Sequence, residues 1–204
     1  MENLKKAIVI LFFAPFAVSA QTDSALVNAF SKSYSLEVSG EYSKAILPLK
    51  EFTKDNQYEV NLRLGWLYYL AKDYPSSVAC YDKAIRLMPY AIEARFGIVY
   101  PLAELGSWDL VVGQYNEILK SDPQNSKANY KLGSIYYYRK DYVSAIKCYE
   151  KVVNLFPFDY DSMLMLAWSK LFSGNAPEAK VLFGKVLLNR PGDVSAKDGL
   201  SRIK

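Results

Sequence analysis

The sequence contains no histidine in 204 residues. Histidine is the most common general base of enzymes and the most common metal ligand, and it changes charge near neutral pH. Without it, a Ser-His-Asp or Cys-His nucleophile cannot form. Asp159 and Asp161 flank Tyr160 and are a candidate acid or metal pair, but two carboxylates in a polar turn are a weak signal. The sequence therefore predicts no catalytic residues, no metal site, no cofactor and no enzyme activity.

A large excess of charge of one sign is also absent. The chain has 25 lysines and arginines and 21 aspartates and glutamates, which gives a net charge of +4 at pH 7. The two signs are interspersed along the sequence. A nucleic-acid-binding protein usually shows a basic stripe or patch. None is visible here, so we expect no nucleic-acid partner.

Long apolar runs are scarce, and the one that stands out lies at the N-terminus. Residues 7–18 read AIVILFFAPFAV, follow Lys5 and Lys6, and are followed by small residues that end at Ala20. These are the three parts of a secretory signal peptide. Twelve apolar residues are too few for a membrane span of about 20 residues. We expect cleavage after Ala20, no transmembrane segment, and an exported protein that is periplasmic or secreted through a bacterial-type signal.

Four prolines recur at one interval along the rest of the chain. Pro89, Pro123, Pro157 and Pro191 are each 34 residues apart. A fixed period of this length is typical of a helix-turn-helix solenoid. Proline ends a helix because it lacks an N–H group and clashes with the preceding turn. The period therefore predicts an all-α chain of stacked helix pairs, which bury a continuous core between neighbours.

Other residue types keep the same offsets from these prolines. One copy carries Asn61, Leu64, Gly65, Tyr68, Ser77, Tyr81, Ala84 and Pro89. A second copy, 68 residues on, carries Asn129, Leu132, Gly133, Tyr136, Ala145, Tyr149, Val152 and Pro157. These offsets resemble those of the tetratricopeptide repeat (TPR) family, although the usual first tryptophan is missing from every copy. The resemblance covers about residues 26–193 and implies an α-solenoid that binds partners; fold alone does not identify the partner.

The period divides the chain into a signal peptide, residues 1–20, and one solenoid domain, residues 21–204. We expect about five TPR-like repeats and a C-terminal capping helix, at about 26–57, 58–91, 92–125, 126–159, 160–193 and 194–204. The first repeat is degenerate and has Pro48 inside its second helix. Pro101 falls inside the first helix of the third repeat, where it is either a tolerated kink or a bend that reshapes the surface beside Tyr100.

Cysteine is nearly absent, with Cys80 and Cys148 at the same offset in repeats two apart. A disulfide needs Cα atoms within about 7 Å. Equivalent positions two repeats apart are separated by several helix diameters of about 8–10 Å each. We therefore expect both to be small packed residues without an internal disulfide.

Aromatic residues follow the face of the first helices that points away from the second helices. We select as candidate binding residues Trp66, Tyr69, Phe96, Tyr100, Tyr130, Tyr137, Trp168 and Phe172. Two interpretations stay open. Either tight curvature buries these rings against neighbouring helices, or they line an exposed concave groove, since large apolar patches and aromatic residues mark binding surfaces.

The kind of partner follows from the other residues on this face. The best-known TPR peptide site, a carboxylate clamp, uses polar and basic residues at positions that here hold Leu62, Trp66, Phe96, Tyr100, Tyr130 and Ser134. Only Arg63, Lys127 and Lys131 supply positive charge nearby. We therefore expect a protein-interaction scaffold of the cell envelope that binds an apolar peptide or partner segment, helical or extended. The alternative is an adaptor for glycan or peptidoglycan, because sugars also stack on aromatic rings.

Overall fold

The computed structural model of the chain describes residues 24–55 and 57–203. The expected signal peptide, residues 1–20, lies outside the described residues. All regular secondary structure in the described part is helical, which confirms the all-α prediction. The helices are α1 Ser24–Val38, α2 Tyr42–Lys50, α3 Tyr58–Leu70, α4 Tyr74–Leu87, α5 Ile92–Glu104, α6 Trp108–Ser121, α7 Ser126–Tyr138, α8 Tyr142–Leu155, α9 Tyr160–Phe172, α10 Ala176–Asn189 and α11 Val194–Ser201. A short 3₁₀ helix, Glu51–Asp55, follows α2.

The helices come in antiparallel pairs that stack on their neighbours in chain order. From α3 to α10, the odd-numbered helices, here called first helices, begin 34 residues apart, and so do the even-numbered second helices. Each proline of the 34-residue series lies two residues after the last residue of a second helix. None of the described helices is long and apolar enough to cross a membrane.

Side-chain caps mark many of the helix starts. Asp73, Asp141 and Asn175 accept hydrogen bonds from backbone N–H groups in the first turns of three second helices. Asp159 does the same at the start of α9, where it accepts from the N–H of Ser162. This cap explains an aspartate that the sequence also allowed as half of an acid pair. Among the described residues, no group of three potential ligands could hold a metal ion.

The turn inside each helix pair contains one residue in the left-handed region. These residues are Gly40, Lys72, Gly106, Lys140 and Gly174, with φ between 61° and 90°. Glycine adopts this conformation without steric cost, whereas a side chain adds strain. Lys72 and Lys140 therefore occupy the most strained of the five turns.

Aromatic side chains of the second helices fill the space between first helices. Tyr81 of α4 lies between Gly65 of α3 and Gly97 of α5, and a Cβ atom on Gly65 would lie 2.8 Å from its ring. A Cβ atom on Gly97 would overlap the same ring. Tyr149 packs in the same way on Gly133, and Phe183 packs on Gly199 of α11. Glycine at these positions lets neighbouring helices approach closely.

Two features that the sequence left open are resolved within the helices. Helix α5 continues through Pro101 to Glu104, and the proline ring is buried. The thiols of Cys80 on α4 and Cys148 on α8 are both free. Burial raises the pKa of each thiol to about 11.

Candidate binding groove

A pocket of about 300 Å³ opens in the middle of the solenoid, between α5 and α7 and above α6. We call it the central pocket. Aromatic residues from four helices line it: Tyr69, Phe96, Tyr100, Trp108, Tyr115 and Tyr138. Lys127 and Lys131 of α7 and Glu104 of α5 add charge. Three of the eight predicted binding residues therefore meet in one pocket.

The pocket opens where one residue of the repeat changes. The sixth residues of α3, α5, α7, α9 and α11 are Arg63, Gly97, Lys131, Met165 and Gly199. The two glycines accept an aromatic ring of the preceding second helix in close contact. Lysine has a side chain that prevents this approach, so α5 and α7 stay apart and Tyr115 of α6 lines the gap.

Rings adjoining the central pocket form a connected group around Tyr69. The ring centroid of Tyr69 lies 5.6 Å from those of Trp66 and Tyr100, and 6.0 Å from that of Tyr74. Such separations are typical of favourable aromatic pairs. Tyr100 is 44% exposed, whereas Trp66 and Tyr69 are half-buried. Trp66 is fixed further, since its Nε1–H donates to Glu37 Oε1 at 2.7 Å.

Arg63 contributes less charge to the groove than the sequence suggests. Its side chain is buried, and Nη1 pairs with Glu37 Oε2 at 2.5 Å. The guanidinium lies 3.9 Å from the ring centroid of Tyr34, which covers one of its faces. The same residues border a second pocket of about 390 Å³ between α1 and α3. The positive charge there is already neutralised within the protein.

The C-terminal end of the face holds a separate ring group. Phe172 lies 6.2 Å from Tyr137 and 5.3 Å from Tyr142, measured between centroids. Trp168 stacks on Phe172 at 5.4 Å. Phe172 is exposed, and Tyr137 is half-buried. Two further predicted residues, Tyr137 and Phe172, therefore lie on an accessible surface.

Trp168 departs from the prediction that it lines an open groove. It is 9% exposed, and its Nε1–H donates to Ser195 Oγ on α11 at 2.8 Å. Phe183 meets its ring edge-on at 5.1 Å. The capping helix therefore closes the solenoid over this tryptophan, which belongs to the core.

Tyr130 faces a different opening from the central pocket. It lines a pocket of about 380 Å³ together with Phe156, Asp159 and Asp161. Its ring packs edge-on against Tyr149 at 5.8 Å. Burial, followed by the two aspartates, raises the pKa of Tyr130. The eight predicted residues are thus divided among the central region, the C-terminal ring group, the core and this separate pocket.

Four exposed or half-buried aromatic residues were missed by the sequence reasoning. Tyr74, Trp108 and Tyr142 each begin a second helix, exactly one period apart, and Tyr138 ends α7. Trp108 and Tyr138 line the central pocket and are 48% and 80% exposed. The 34-residue recurrence of a ring at the start of the second helices was a signal that could have identified the first three.

Comparison with known proteins supports the repeat assignment. Models of the tetratricopeptide repeat match residues 58–89 and 126–159. No curated protein sequence matches the chain. A crystal structure of MamA is similar, with a TM-score of 0.71 and 19% identity over 82% of this chain and 92% of that one. A tetratricopeptide repeat protein from Parabacteroides merdae gives a TM-score of 0.74 and 20% identity over 88% and 72%.

A third similar structure is YrrB, described as a TPR protein with an unusual peptide-binding site. It gives a TM-score of 0.68 and 13% identity over 86% of this chain and 91% of that one. At these identities the likeness concerns the fold. The repeat matches, the 34-residue helix register and these structures agree, and the chain is a tetratricopeptide repeat protein.

Proposed function

We propose that this chain is an interaction scaffold whose groove, the surface formed by the first helices, binds an apolar segment of a partner protein. The observation that carries the proposal is the central pocket, where rings from four helices converge without filling the space between them. Tyr100 and Trp108 are each nearly half exposed there. Exposed aromatic clusters of this kind mark binding surfaces, and tryptophan and tyrosine dominate binding hot spots.

The geometry favours a segment rather than a small molecule. The central pocket continues along the face into the ring group of Trp66, Tyr69 and Tyr74. An extended or helical peptide can place successive side chains along such a row, as peptides do in grooves between helices. YrrB, which shares the fold, is described as carrying a peptide-binding site.

The proposed setting of this scaffold is outside the cytoplasm. The charged start, the apolar run of residues 7–18 and the small residues that end at Ala20 support export with cleavage. Expression in a bacterial host with an intact N-terminus, followed by N-terminal sequencing of the periplasmic fraction, tests this part. The mature chain should begin at Gln21. A cytoplasmic protein that retains Met1 would contradict it.

Site-specific crosslinking tests the groove. A photoreactive phenylalanine replaces Tyr100 in one variant and Tyr90 in a matched control, because Tyr90 is 91% exposed and lies outside the central pocket. After irradiation in envelope extract, we expect a protein adduct at position 100 and none at position 90. Trp108→Ala should remove the adduct at position 100, since truncation of an aromatic hot spot costs about 2 kcal/mol or more of binding.

Two results would contradict the proposal. Adducts only at position 90 would move the interaction away from the groove. Co-sedimentation with purified peptidoglycan, lost in Trp108→Ala and without any protein adduct, would favour the glycan adaptor instead. Thermal melts of all variants serve as the control for folding.

A further inference from the structure

The central pocket differs from the rest of the groove in its charge. Lys127 and Lys131 lie one turn apart on α7, and both side chains are exposed. The ammonium of Lys127 lies 4.4 Å from the ring centroid of Phe96, and that of Lys131 lies 5.9 Å from the ring centroid of Tyr130. Within residues 24–55 and 57–203, neither lysine has a carboxylate within ion-pair distance.

Arg63 shows what the same position does when its charge is satisfied. It occupies the sixth position of α3, as Lys131 does of α7, and pairs with Glu37 inside the protein. Lys131 has no such partner in the described part of the chain. Asp159 and Asp161 lie beyond Tyr130 and line the neighbouring pocket with Lys127, outside ion-pair distance. The positive charge of the central pocket is therefore available to a ligand.

The charge has a direction along the groove. Lys127 and Lys131 lie in the first half of α7, whereas Glu104 is the last residue of α5. Because first helices run parallel in the stack, the lysines and Glu104 lie toward opposite ends of the pocket. Glu104 is held by Tyr74, whose pKa is raised first by burial and then by this carboxylate. A bound segment therefore meets positive charge at one end and negative charge at the other.

We propose that the central pocket selects a peptide segment in which an aromatic residue is flanked by aspartate or glutamate. The aromatic side chain enters the pocket between Phe96 and Trp108, and the carboxylate pairs with Lys127 and Lys131. A volume of about 300 Å³ lies at the lower end of ligand pockets, which suits one large side chain. This inference rests on the proposed function and specifies the chemistry of the partner segment.

Three fluorescein-labelled peptides of equal length provide the probe. Each carries one central phenylalanine, flanked by aspartate and glutamate, by serine and glutamine, or by lysine; a fourth is acidic with alanine at the centre. Fluorescence anisotropy at low and high salt measures their binding to the purified protein. We expect the acidic aromatic peptide to bind at least tenfold more tightly than the basic one, and its affinity to fall with salt.

Variants of the two lysines test the contact itself. Lys127→Gln or Lys131→Gln should each weaken the acidic aromatic peptide up to about fivefold, which corresponds to an exposed ion pair. The double charge reversal, Lys127→Glu with Lys131→Glu, should make the basic peptide the preferred one. The control is Lys147→Glu with Lys180→Glu, which changes net charge equally at exposed lysines outside the pocket.

The outcomes separate this inference from the proposed function. Equal binding of all three aromatic peptides, lost in Trp108→Ala but unaffected by the lysine variants, overturns charge selection and leaves the groove intact. An effect of the control as large as that of Lys127 and Lys131 also overturns it. Equal binding of the alanine peptide overturns the aromatic anchor. If none of the peptides binds, the inference fails, and crosslinking at position 100 decides the proposed function separately.

Discussion

Replacement of Gly97 by alanine should destabilise the protein, although alanine is the better helix former. Tyr81 is buried between α3 and α5, and a Cβ atom on Gly97 would overlap its ring. Overpacking of this kind costs about 1–3 kcal/mol, whereas the gain in helix propensity is about 1 kcal/mol. The overlap involves a ring that has no space to move into, so we expect a net loss near 1–2 kcal/mol.

Gly113 provides the matched control for this substitution. It lies inside α6, and a Cβ atom there would meet nothing within 4 Å. Gly113→Ala should therefore stabilise the protein by about 0.5–1 kcal/mol through helix propensity alone. The same chemical change is expected to have opposite signs at two helical glycines of one solenoid.

Urea and thermal unfolding followed by circular dichroism measure both variants. For a chain of this size, 1 kcal/mol shifts the melting temperature by about 2–4 °C. A second change, Tyr81→Leu, should reduce the cost of Gly97→Ala, because residues in contact are energetically coupled. If both alanine variants stabilise the protein equally, or Tyr81→Leu leaves the cost unchanged, the close approach of α4 and α5 is not what limits residue 97.

The remaining predictions concern strain, the core and the thiols. Lys140→Gly should raise the melting temperature by a few degrees, since glycine relieves a φ of 61° at a cost-free position; an unchanged or lower value would show that the turn is not strained. Trp168→Ala should lower the free energy of unfolding by about 3–5 kcal/mol, since it empties a buried site under α11; a loss within 1 kcal/mol would return Trp168 to the surface. Cys80 and Cys148, with pKa values of about 11, should react with iodoacetamide at pH 8 about a hundredfold more slowly in the native protein than in urea; equal rates would contradict their burial. Because these thiols ionise at higher pH in the folded chain than in the unfolded one, their contribution to stability is complete below pH 9, and the urea midpoint should fall as the pH rises from about 9 to 11.

The fold was predictable from the sequence because its signals are local and recur. Proline stops a helix wherever it follows one, and the structure places each of the four prolines at the same distance beyond a second helix. Glycine at 65 and 133 marks close helix contact without reference to the rest of the chain. A period that repeats such signals determines the stack, since each pair can bury its apolar face only against its neighbours.

The binding residues were predictable only in part, because exposure depends on contacts between distant segments. The sequence places Trp66 and Trp168 on one stripe, yet only Trp168 is covered, by a serine of the capping helix 27 residues later. Arg63 is on the predicted face as well, but Glu37 from the degenerate first repeat neutralises it. Neither event changes the period. The missed residue Trp108 belongs to a second helix, whose start was assigned to the core side of each pair.

The irregular positions of the repeat carry more information about binding than the regular ones. At the sixth position of the first helices, Gly97 and Gly199 allow the tightest packing that the stack achieves. Lys131 holds the same position in the middle of the chain, where glycine would let the helices close. The lysine gives up that contact, and the space appears as the aromatic pocket beside it. Since a departure from the locally favoured residue is expected where a site is built, Lys131 links the architecture of the solenoid to the ligand that we propose for it.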